Sequence, residues 1–342
     1  MIEIIVFVLG IAVLLYVLLG GADFGAGIVE LFTERKGIGT ISKAIAPVWE
    51  ANHIWLILAI VILLNGFPQV YTTLTIYLHI PLFIVLIGII FRGTAFTFRY
   101  YDTLKDNSQK YYTRIFRLSS LITPFFLGVT LGAIILGRIP ANVNGNFYEV
   151  FISPWFNLFT CSTGLFVTLL FGWLAAVYLI GEALDDESYQ SFAKTARNFF
   201  VLLVLSGLGI FIVAEINDLH LFRRFIESSV ALGCIILATI IIPFLWRNIK
   251  HRNPERSGLI RLLAGVQTTC IISGWFAVQF PVMIYISGGS NLTVWNSQAP
   301  ERTIYLLVYA LIVGILLILP AFFYLFKVFK FESKENQTHI MN

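Results

Sequence analysis

Residues 4–32 read IIVFVLGIAVLLYVLLGGADFGAGIVELF, an apolar run carrying an aspartate, Asp23, among glycines. About 20 mostly apolar residues suffice for a helix to cross a bilayer, so this stretch predicts a membrane span. Eight further stretches read the same way: 43–65, 73–98, 115–137, 154–181, 197–216, 225–247, 258–286 and 303–329. Each is continuous rather than alternating, which argues against transmembrane strands. The first span runs on into Gly21-Ala22-Asp23-Phe24, so a cleavable leader is not expected. The expected fold is all-α: a polytopic membrane protein of about nine transmembrane helices in bundles, with residues 1–342 forming one integral membrane domain.

Composition agrees. Of 342 residues, 58% are hydrophobic and 12% charged, with a mean hydropathy of +0.85. A soluble domain carries about 25% charged and 45–50% apolar residues. The balance excludes a soluble globular enzyme, a disordered chain and a nucleic-acid binder. Cys161, Cys234 and Cys270 lie singly in apolar runs, a pattern of core packing rather than of disulfide or zinc chemistry. The formal charge of +4 says less than its placement. Seventeen of the 23 Lys and Arg residues fall on one side, among them Arg35, Lys36, Lys110, Arg114, Lys194, Arg197, Arg247, Lys250 and Arg261. Arg138, Arg223, Arg224 and Arg302 fall on the other. The richer side is expected to be cytoplasmic, with the N-terminus outside and the C-terminus inside.

Ionisable groups within a span are costly and mark function by default. Asp23 lies late in the first span and Glu50 early in the second, about 13 Å and 10 Å from the cytoplasmic boundary at roughly 1.5 Å per residue. Two carboxylates at similar depth on consecutive antiparallel helices suit a short proton ladder. Structural hydrogen bonding within the bundle is the competing explanation. His53 shares a helix face with Glu50 at i, i+3. That spacing also serves di-iron bundles, which need a second copy, and only one lies inside a span. His53 and His79, the two intramembrane histidines, sit at unequal depth for a haem pair. Arg92, two turns deeper than Arg99, needs an anionic partner: a carboxylate, a lipid phosphate or a cofactor propionate. Arg99 is expected to snorkel to the interface. Gln279 beside Pro281 suggests a locally repaired helix backbone.

Four segments, Gly20–Gly27, Ala46–Trp55, Phe91–Arg99 and Gly274–Pro281, resemble in order subunit II of the cytochrome bd-type quinol oxidases. Where many members have Asp-Gly-Asn-Glu, this chain has Glu50-Ala51-Asn52-His53, which looks closer to the cyanide-insensitive branch. The resemblance implies a subunit of a respiratory quinol:dioxygen oxidoreductase that reduces O2 to water in a bacterial or archaeal cell membrane. It implies a heterodimer with a haem-bearing subunit I that holds haem b and haem d and oxidises quinol. Small single-span accessory subunits and membrane lipids are further partners. This chain is then expected to bind no cofactor or metal, and to contribute a cytoplasmic proton path through Asp23, Glu50 and His53. Two readings from other classes are a proton-coupled secondary transporter using Asp23 and Glu50, and a purely structural subunit.

Overall fold

The computed structural model describes residues 1–32, 35–101, 107–143, 145–183, 185–250 and 256–340. Among the described residues there are nine long helices: α1 (Ile2–Glu30), α2 (Arg35–Gly66), α4 (His79–Tyr101), α5 (Gln109–Leu136), α7 (Leu158–Ile180), α8 (Asp186–Ile216), α10 (Ser229–Lys250), α11 (Ser257–Gln279) and α12 (Glu301–Ile340); all but α2 are long and apolar enough to cross a membrane alone, and α2 makes a ninth span together with the helix that follows it. Three short helices join them: α3 (Pro68–Tyr77), α6 (Phe147–Phe151) and α9 (Leu221–Glu227). At one end of the bundle β1 (Ile139–Pro140) pairs parallel with β3 (Ile286–Ser287), and β2 (Val282–Ile284) antiparallel with β4 (Leu292–Thr293).

Three of the expected spans are placed differently. The stretch 73–98 breaks at Leu78: Pro68 starts α3, which bends 112° away from α2, and the next span begins at His79. Pro cannot continue the preceding helix but is preorganised for a first turn. The stretch 225–247 opens with the separate α9 and crosses only from Ser229. The stretch 258–286 ends as helix at Gln279, after which the chain turns into strand. Gln279 therefore closes a helix and does not repair one.

Helix α7 is the axis of the packing. Its sequence is apolar on every side, the pattern of a helix buried all round, and α1, α5, α8 and α11 pack against it. Asn157 accepts from the Thr160 amide while Thr160 Oγ1 accepts from the Asn157 amide, a reciprocal cap that fixes where α7 starts. The helices α8, α10 and α12, by contrast, turn Leu208, Ile212, Ile236 and Leu316 outward, the exterior expected against lipid or a partner.

Glycine sets how closely α1 approaches α7. A Cβ at Gly25 would overlap the Phe171 carbonyl oxygen, a backbone atom that cannot swing aside. The opposite face of α1 meets α5 in the same way, since a Cβ at Gly27 would overlap the Ser120 side chain. Small residues allow this contact, and it carries α1 deep enough to bury Asp23. Gly25→Ala is expected to force α1 and α7 apart and destabilise the chain by about 1–3 kcal/mol, the usual cost of overpacking, read as a lower midpoint of thermal unfolding in detergent.

Candidate functional site

The polar centre of the bundle is built from α1, α4 and α5. Asp23 and Arg92 are 0% and 1% exposed. The guanidinium grips the aspartate in a fork: Arg92 Nη1 donates to Asp23 Oδ2 at 2.7 Å, and Nη2 donates to Oδ1 at 2.6 Å. Nη2 also donates to the Asp23 backbone carbonyl at 2.6 Å, and Nε to Ser120 Oγ at 3.0 Å. Four of its five donors are thus used inside the chain. The Phe24 and Phe116 rings lie 4.7 Å and 4.9 Å from its central carbon, adding cation–π attraction.

A second rung lies one heptad along. Glu30, fully buried, accepts from Arg99 Nη1 at 2.8 Å and 2.9 Å on its two oxygens, and from Arg117 Nε at 3.0 Å. Arg99 is buried rather than snorkelling; the carboxylate on α1 and the Phe116 ring, 4.3 Å away, hold it inside. Asp23 and Glu30 are seven apart on α1, as are Arg92 and Arg99 on α4, so one helix face presents both acids and another both bases. Phe116 of α5 lies against both guanidinium groups, flanked on its own helix by Arg117 and Ser120.

Helix α2 packs on α1 and brings Asn52 and His53 to the Asp23 rung. Asn52 is 0% exposed and lies against Gly20, where a Cβ would stand 3.1 Å from both of its amide atoms. His53 is partly buried and within electrostatic reach of Asp23. Glu50 belongs to α2, but its side chain lies outside the described residues. His79 is far from this group. It starts α4, thirteen residues or about 20 Å along the helix from Arg92, with Nδ1 2.8 Å from the Ile76 carbonyl and its ring against Phe151. Among the described residues no three His, Cys, Asp or Glu side chains gather as metal ligands.

Sequence reasoning singled out Asp23 and Arg92 but missed their mutual pairing, and it passed over Glu30, Ser120 and Asn52. The matched spacing of seven on two apolar helices was the available signal for Glu30. Chemically, each rung sets a carboxyl group against a guanidinium in a medium of low dielectric, where their attraction is strong. Arg92→Met would leave Asp23 buried and unpaired. It is expected to cost about 3–5 kcal/mol, whereas the double change Arg92→Met with Asp23→Leu is expected to cost less than Arg92→Met alone, a comparison that unfolding of the purified variants in detergent measures.

The sequence profile of the family described as cytochrome bd terminal oxidase subunit II matches residues 1–329. Cytochrome bd ubiquinol oxidase subunit 2 of Bacillus subtilis (strain 168) is 26% identical over 291 residues, covering 84% of this chain and 83% of that protein. Cytochrome bd-I ubiquinol oxidase subunit 2 of Escherichia coli (strain K12) is 23% identical, covering 96% of this chain and 94% of that one. The solved structure of bd oxidase from Geobacillus thermodenitrificans superposes with a TM-score of 0.76 at 20% identity, over 96% of this chain and 98% of the matched chain.

Proposed function

Since the chain belongs to the cytochrome bd terminal oxidase subunit II family, we propose that it completes the membrane core of a quinol:dioxygen oxidoreductase and carries protons from the cytoplasm toward the site of oxygen reduction. In this reading residues 1–342 act as one integral membrane domain in the cell membrane of a bacterium or archaeon. The distribution of Lys and Arg supports an N-terminus outside and a C-terminus in the cytoplasm. The haem-bearing subunit I is its partner, with small accessory subunits and lipids around the pair.

The supporting observation is the buried polar group itself. Asp23, Arg92, Asn52 and His53 converge inside a bundle whose other buried side chains are mostly apolar. Charges at this depth are costly unless they are used. The helical register that sets Asn52 against Gly20 brings position 50 of α2 level with the turn of α1 that bears Asp23. Glu50 and Asp23 then pass protons along the route, with His53 on the same face of α2 as Glu50. Haem b and haem d, carried by the partner, would supply electron transfer from quinol and oxygen binding, and this chain binds neither.

Charge separation follows without a pump. Quinol oxidised near the outer face releases its protons there, while the protons that make water are drawn from the cytoplasm. Each electron passed thereby moves charge across the bilayer. Replacing Glu50 by Gln in the assembled oxidase keeps the size and removes the proton. Oxygen consumption and proton uptake are both expected to fall by about 10²-fold or more, the usual weight of a positioned proton-transfer group. Parental rates of both would refute the carboxylate's role.

A further inference from the structure

We propose that the first turns of α5 bind the headgroup of an anionic phospholipid, in a recess walled by Lys110 and Arg114. The recess has a volume of about 360 Å³ and is lined by Asn107, Lys110, Tyr111 and Arg114. Lys110 and Arg114 stand at i, i+4 and share a face of the helix. Both are exposed, and neither has an ion-pair partner among the described residues. The arginines deeper in the same helix pair are different: Arg92, Arg99 and Arg117 all meet Asp23 or Glu30. The first turn of α5 holds no acidic residue either. Two positive charges at the wall of one recess are thus left for something other than this chain's described carboxylates.

What the recess takes is set by its chemistry and by what adjoins it. A guanidinium, an ammonium, an amide and a phenol all donate to phosphate oxygens, the guanidinium to two at once. The apolar run of α5 starts at Ile115, so Arg114 stands at its edge and Lys110 about 6 Å farther out along the helix. That interval is close to the depth of one headgroup layer. Tyr111, Ile115, Leu118 and Ile122 recur at i, i+4, i+7 and i+11, and all are exposed. They form an apolar strip that runs from the recess into the bilayer beside the basic pair. A free inorganic anion would use the recess and leave the strip bare. A phospholipid uses both, its phosphate against Arg114 and Lys110 and an acyl chain along the strip. A net negative headgroup is favoured over a zwitterionic one, whose own cation would meet Lys110. The stacked rings of Phe98 and Tyr112, 5.4 Å apart, join α4 to α5 at this level and hold the basic turn in place.

The test is made on the whole oxidase with its partner subunit, in phosphatidylcholine nanodiscs carrying a trace of phosphatidylglycerol with a photoreactive acyl chain. Illumination is expected to label the segment 107–122. Excess unlabelled phosphatidylglycerol is expected to suppress that label, and the same excess of phosphatidylcholine or of inorganic phosphate to leave it. Lys110→Gln combined with Arg114→Gln is expected to weaken capture about 25-fold, the product of about fivefold for each basic side chain at a membrane surface. The exchange Lys110→Arg with Arg114→Lys, which keeps both charges, is expected to retain it. Lys194→Gln with Arg197→Gln removes as much exposed charge from α8 and is expected to change nothing at 107–122. Labelling of the other spans, equal in parent and variant, marks a loss at 107–122 as local. No label in 107–122 of the parent would overturn the proposal, as would full capture by the double glutamine variant. Suppression by phosphatidylcholine as strong as by phosphatidylglycerol would reduce the site to ordinary contact with the bilayer. Suppression by inorganic phosphate to the same degree would assign the recess to the free anion and refute the lipid.

Discussion

A carboxylate inside a membrane bundle has no water to fall back on, and much of this structure is arranged around that constraint. Asp23 and Glu30 sit on an otherwise apolar helix, and each is met by an arginine from α4, with α5 adding a third arginine, a serine hydroxyl and an aromatic ring. Breaking one partner of such a pair costs far more than the pair contributes as a whole, because the survivor is stranded. The ladder therefore binds α1, α4 and α5 into a unit that changes together or not at all.

The glycines and the ladder solve one problem between them. Asp23 is buried because α1 lies close to α7 through Gly25 and close to α5 through Gly27. That approach would be pointless without the arginine, and the arginine could not pay its desolvation without the closely packed aromatic and polar lining that the approach creates. On the α2 side the same small-residue surface admits Asn52 instead of an apolar side chain. The polar centre thus joins the ion pair and the neutral Asn52 amide at one carboxylate.

Much of the fold was legible in the sequence. Nine spans and their approximate limits follow from hydropathy, since bilayer thickness dictates length. The breaks at Leu78, at Ser228 and after Gln279 were not legible, because a short helix lying across the axis or a hairpin strand is as apolar as the span it adjoins. At the site, Asp23 and Arg92 stood out because charge is conspicuous in an apolar run. Their partnership did not, as it depends on α4 coming to α1 by way of α5, a matter of topology rather than local pattern. Glu30 was hidden by its place near a helix end, where an acid ordinarily meets water. The transporter alternative rested on the carboxylates alone, which two kinds of membrane protein share, and the four ordered motifs drew the distinction.

The equal spacing of acids on α1 and arginines on α4 also bears on how the chain is put together in the membrane. Sixty-nine residues separate the members of both forked pairs. A slip of α4 by one turn, about 5.4 Å, would unseat both rungs at once, and a slip of seven residues would keep only one. Helix α1 is made before α4 and carries Asp23 and Glu30 with nothing yet to neutralise them, and α4 follows with two arginines that are expensive to release into lipid alone. Each is the other's condition for staying inserted. Only the native alignment of α1 and α4 seats both rungs together.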